Sequence, residues 1–116
     1  MKLYTTFALL KQHGACTERY RNLARKLGGV KKYGKDTPIL LSAILKTNGL
    51  DDCLWALRAT DPKQAKGRDK LARLFAVWCC RYTPLADGIT VWDLTTDPRS
   101  RAAVEVAERY ARGQAT

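Results

Sequence analysis

The stretch Leu71–Gly113, LARLFAVWCCRYTPLADGITVWDLTTDPRSRAAVEVAERYARG, decides the fold class of this chain. Two apolar runs at helical spacing flank a punctuated loop. Leu71, Leu74, Phe75, Trp78 and Tyr82 form the first stripe, and Pro84 stops it. Asp87-Gly88 signals a turn. Val91–Leu94 reads as one helical turn, with Trp92 and Leu94 toward the core. Asp97-Pro98 opens a last helix, with a capping residue ahead of a proline in the first turn. Ala103, Val106, Ala107 and Tyr110 line one face of that helix, and Gly113 ends it. On its outer face, Glu105 with Arg101 and Arg109, and Glu108 with Arg112, stand at ion-pair spacing.

Working toward the N-terminus, the same period recurs. Leu3, Phe7 and Leu10 make a first helix that Gly14 closes. Tyr20, Leu23, Ala24 and Leu27 make the buried stripe of a second, capped by Thr17 and stopped by Gly28-Gly29. Residues 30–36, VKKYGKD, read as a basic loop. Asp36-Thr37-Pro38 looks like another helix start, followed by ILLSAIL, which is apolar almost all round. The 38–47 segment is therefore expected to be a buried central helix. Asp51 and Asp52 begin a short helix with Leu54, Trp55 and Leu57, where acids suit the positive end of the dipole. Residues 61–70 read as a polar loop or a frayed helix start. No alternating pattern is sustained, and Thr90-Val91-Trp92 is the one candidate strand. The expectation is an all-α fold, a compact single domain over residues 1–116, with five to six short helices around the buried one.

Composition agrees with a globular domain. The 116 residues are 46% hydrophobic and 28% charged, which separates the chain from disordered sequences. No apolar run approaches the roughly 18 residues of a membrane span. The N-terminal MKLYTTFALLKQH lacks small residues at a cleavage position, so it reads as a helix rather than an export signal. That places the chain in a reducing compartment, the cytoplasm, and makes disulfides among Cys16, Cys53, Cys79 and Cys80 unexpected. A zinc site built from His13, Cys16 and Cys79 or Cys80 is the sharper alternative. No CxxC pair supports it, and buried thiols are the expected state. Neither a metal nor a cofactor is expected.

Charge is the more informative property. The net charge is +10, and its distribution is uneven. Residues 1–35 hold nine basic side chains and one acid, Glu18, for a net +8. The remaining residues hold twelve basic and ten acidic, for +2. Such asymmetry calls for an acidic partner, either a nucleic acid, a nucleoprotein or an acidic protein surface. Arg19, Arg21, Arg25 and Lys26 fall off the apolar stripe of the second helix, and Lys31, Lys32 and Lys35 follow in the loop. These seven cations and Tyr33, placed to stack on a base or fill a partner pocket, are the expected contacts. The spacing between the helices is too long for a helix-turn-helix, and ILLSAILK is too apolar for a DNA groove. An enzyme is not expected. The one histidine, His13, suits a helix C-terminus, and no glycine-rich loop precedes a helix as phosphate binding requires.

Several segments resemble known sequences. DDCLWALRAT (51–60) resembles a DD-x-LWALRA block of small prophage proteins. RLFAVWCC (73–80) and the run from Thr83 to Thr116 resemble a helical C-terminal module of phage and prophage reading frames, and HGACTERYRNLARKLGG (13–29) is similar to the openings of short phage proteins. The resemblance implies a small, helical, phage-encoded protein of the bacterial host cytoplasm and attaches no catalytic residue. Together with the basic segment it leads to a first expectation: a non-enzymatic binder that inhibits a host defence complex, of the anti-CRISPR type. A nonspecific nucleic-acid-binding accessory protein and an immunity-type protein with one cognate partner are the alternatives.

Overall fold

The computed structural model describes residues 2–114. It is mostly helical, with eight α-helices and one two-stranded ladder among the described residues. Two compact units divide the chain, residues 1–68 and 69–116.

The first unit opens with strand β1 (Tyr4–Thr5), helix α1 (Phe7–Gln12), helix α2 (Thr17–Lys26) and the single turn α3 (Val30–Tyr33). Strand β2 (Ile39–Leu40), helix α4 (Leu41–Asn48) and helix α5 (Leu50–Ala56) complete its main frame. The ladder corrects the expectation that no sheet forms. Tyr4 pairs with Leu40 and Thr5 with Ile39, antiparallel. Period-two geometry turns Thr5 and Ile39 inward, where both are fully buried, and Tyr4 and Leu40 outward. Two residues per strand are too few to leave an alternating signature in the sequence.

The ladder also displaces two expected helix starts. Thr6, not Leu3, begins α1: its backbone is extended and its Oγ1 accepts from Leu9 N at 3.1 Å. Pro38 does not open α4. A proline favours extended backbone before it, Ile39 and Leu40 then pair with β1, and Leu41 N donates to Leu3 O at 3.1 Å. The helix begins only after that pairing ends. Residues 30–33, expected in a loop, form α3. Cys16 rather than Thr17 occupies the position before α2.

Phe7 is the centre of this unit's core, fully buried and ringed by Leu10, Leu23, Ile39, Leu41, Ile44, Ala56 and Ala59. Tyr20 and Tyr33 meet its ring edge-on, with centroids 5.4 and 5.8 Å away. Helix α4 contributes Leu41 and Ile44 to that core, while Ser42, Leu45 and Lys46 stay exposed, so it buries one face. Gly49, at φ +95°, ends α4 and starts α5 in a single residue, a reversal that a side chain would strain. Gln64, in a tight turn over Pro62–Gln64, clamps the first strand. Its Oε1 accepts from Tyr4 N at 2.9 Å and its Nε2 donates to Lys2 O at 2.8 Å.

Helix α6 (Ala65–Tyr82) carries the chain into the second unit, followed by α7 (Val91–Leu94) and α8 (Pro98–Ala111). Here the helix start expected at Asp97-Pro98 holds, and α7 has a cap that the spacing did not signal. Thr90 and Asp93 cap one another's backbone at the start of α7, and Asp97 accepts from Arg99 N at 2.8 Å ahead of Pro98. Asp87 adopts the left-handed conformation at φ +64° in the turn before Gly88. Val91–Leu94 is the helical turn expected, and of the candidate strand Thr90-Val91-Trp92 only one bridge forms, Thr90 with Pro84.

The apolar stripe of α6 does not become core. Leu71, Phe75, Trp78 and Tyr82 remain 40–58% exposed, and Val77, on the next face around the helix, is buried instead. Arg81 and the half-buried Leu74 share that side of the helix. Arg81 pairs with Glu108 of α8 at 3.1 Å and stacks on the Trp92 ring at 4.5 Å. Arg101 stacks on the same ring at 4.8 Å and donates to the carbonyls of Trp92 and Thr95. Arg101 is thereby withdrawn from the expected pair with Glu105, whereas Arg112 keeps its pair with Glu108 at 3.5 Å.

Candidate partner-binding surface

All seven cations expected at the interface are exposed. Helical geometry nonetheless sorts them into two groups. Arg19 and Lys26 stand seven residues apart on α2, hence on one side of it, and that side faces the C-terminus of α4. Lys26 Nζ donates to Thr47 O at 2.9 Å, and Arg19 Nη2 donates to Asn48 O at 3.0 Å. Both acceptors are last-turn carbonyls without a partner within their helix, at the negative end of its dipole. Arg19 Nε also meets Asp52 Oδ2 at 2.7 Å, and that hydrogen-bonded carboxylate raises the guanidinium pKa above its ordinary value. Asn48 completes the network. Its Nδ2 donates to Arg19 O and Asp52 Oδ2, and its Oδ1 accepts from Asn22 Nδ2 at 2.8 Å. Two of the expected contacts thus hold α2, α4 and α5 together.

The second group faces away from that seam. Arg25 reaches only Asn22 Oδ1, one turn back on its own helix, at 3.0 Å. Arg21, Lys31, Lys32 and Lys35 have no side-chain partner among the described residues. Local backbone fixes where the lysines stand. Gly34, at φ +102°, ends α3, and a Cβ there would lie 2.4 Å from Thr37 Oγ1, which itself donates to Tyr33 O. Lys35 O then accepts from Ala8 N at 2.9 Å, pinning the loop to α1. That contact brings Lys11 beside Lys35, at the edges of a shallow cleft floored by Phe7, Tyr20 and Val30. Lys11 was not legible as a site residue, because only the loop crossing places it there.

Tyr33 has a different role from the one its spacing suggests. Its ring packs edge-on against Phe7 and its hydroxyl donates to Pro38 O at 2.7 Å, so it ties α3 to the core. The ring is half-buried.

The four cysteines are free thiols. Cys53 donates to Leu41 O at 3.3 Å, and burial raises its pKa. Among the described residues, no three of His, Cys, Asp and Glu lie together as metal ligands, and no helix is long and apolar enough to cross a membrane. No protein-family model, curated protein or solved structure matches the chain.

Proposed function

We propose that this chain is a non-enzymatic binding protein whose contact surface is Arg21, Arg25, Lys31, Lys32 and Lys35, extended by Lys11, and whose target is an acidic protein surface. In the setting that the sequence resemblance implies, the target is a host defence complex, and the mode is occlusion, as for anti-CRISPR proteins. One observation carries the reading: these cations are exposed and, Arg25's intrahelical bond apart, lack side-chain partners among the described residues, while Arg19 and Lys26 beside them are engaged by the fold. Like charges gathered without counter-charges oppose folding by mutual repulsion and attract an acidic partner from a distance. The half-buried Tyr33 ring favours a protein partner over single-stranded nucleic acid, which uses open aromatic faces.

The test is an affinity capture from bacterial lysate with and without nuclease, using the native chain and an Arg25→Glu/Lys32→Glu variant. A protein complex that survives nuclease and is lost with the variant, whose helical circular dichroism matches the native chain, supports the reading. Capture unchanged by the charge reversal overturns the surface. Recovery of nucleic acid alone, lost at high salt, replaces the reading with nonspecific nucleic-acid binding.

A further inference from the structure

On the Arg19 side of α2, away from the unpaired cations, lies a cleft of about 230 Å³ between α2, α4 and α5. Its walls are apolar: Leu10, Tyr20, Leu23, Ile44 and Trp55. The Trp55 ring is held in place by the Arg58 guanidinium, 4.7 Å from its centroid. Polar groups gather at one edge, and three of them, Arg19, Asn48 and Asp52, satisfy each other through the bonds described above. Asp51 is the fourth. It is exposed, lines the same cleft, and its carboxylate has no partner among the described residues. Because Arg19 and Asp52 neutralise one another, the edge carries the single uncompensated negative charge of Asp51.

Size and charge together select a ligand. A cavity near 150 Å³ already accepts a benzene ring, so this one holds a body the size of an indole. Apolar walls with a few polar groups at one end are the usual make-up of a small-molecule site. We propose that this cleft binds an arylalkylamine, a single aromatic ring on a short cationic arm, with the ring between Tyr20 and Trp55 and the ammonium at Asp51. The cleft is distinct from the basic surface, since none of Lys31, Lys32 and Lys35 lines it, although Tyr20 borders both this cleft and the one between Lys11 and Lys35.

Tryptamine and indole-3-propionate, matched in ring and opposite in charge, are the probes. Titrated into the ¹⁵N-labelled full chain, tryptamine moves the Trp55 indole N–H and the amides of Cys16 and Asn48, saturating in the millimolar range typical of ring-sized ligands. It also slows alkylation of Cys16, which is exposed at the cleft mouth. Indole-3-propionate binds about tenfold more weakly, as one unpaired rim charge requires. Asp51→Asn removes that preference while the chain stays folded, its melting temperature lowered only by the small loss of a first-turn acid, and Ala15→Phe, which fills the cleft, removes both ligands. Equal affinity for amine and acid, shifts confined to other residues, or no saturation by either probe overturns the proposal. The comparison on the native chain decides the matter even where a variant fails to fold.

Discussion

At the residue scale, single polar atoms set where elements begin. Thr6 is 8% exposed, and its hydroxyl takes one of the first backbone donors of α1. Thr6→Ala leaves that donor unsatisfied in a nearly dry site and costs about 1 kcal/mol. For a domain of this size that lowers the melting temperature by roughly 4–8 °C in a thermal denaturation. In the second unit, hydrogen bonds hold two carboxyls below their ordinary range. For Asp93 the donor is chiefly the Thr90 backbone, and for Asp97 chiefly the Arg99 side chain. A carboxyl depressed in the folded state adds stability that is complete above its unfolded value, about 3.9, and lost as pH falls through the folded value. Melting temperature is therefore expected to hold near neutrality and fall below about pH 4. An Asp93→Asn/Asp97→Asn variant keeps capping side chains and shows a shallower acid fall in parallel melts.

At the element scale, α2 illustrates how one helix divides its charges. Its apolar stripe was readable from spacing alone, because Tyr20, Leu23, Ala24 and Leu27 recur at the helical period. The roles of its cations were not. Arg19 and Lys26 carry the same charge as Arg21 and Arg25 and lie equally off the apolar stripe, and only the approach of α4's C-terminus separates them. Lys26→Met removes a cation from that helix end and costs a few tenths to about 1 kcal/mol. Partner binding by Lys26→Met is expected to stay within about twofold of native, since a rim charge mainly tunes association. Arg25→Glu/Lys32→Glu has the opposite binding signature: it stays folded, at a comparable small cost because Arg25 is also in the last turn of α2, and it loses partner binding. Affinity measurements on the two variants, with thermal melts to show that both fold, separate structural cations from contact cations.

At the scale of the whole molecule, each unit depends on contacts the sequence signals unevenly. Phe7 is completely buried at the centre of the first unit and holds two tyrosine rings edge-on. Phe7→Ala opens a cavity and costs about 3–5 kcal/mol, a large share of a small domain's stability. Chemical denaturation is expected to show the loss of most of the native baseline at 37 °C. Trp78, a larger aromatic side chain, is 52% exposed, so Trp78→Ser changes stability far less, within about 1 kcal/mol. A sequence-based stripe predicts the reverse for Trp78, and the same denaturation series decides between them.

The sequence by itself determined that the chain is helical and where several helices are punctuated. Period, capping residues and glycine stops are local properties, written within a turn or two of the backbone they govern, as Asp97-Pro98 and Asn48-Gly49 show. It also determined that the charge is concentrated in the first third, since that is a sum over composition. Tertiary structure decided the rest. The Tyr4–Thr5 and Ile39–Leu40 ladder joins segments more than thirty residues apart and moves two helix starts. Arg81 meets Trp92 and Glu108, while most of the apolar stripe of α6 stays exposed. The C-terminus of α4 engaged Arg19 and Lys26 and left their neighbours to the solvent. Each of these outcomes depends on which distant group arrives beside a side chain, and spacing along the chain carries no record of that.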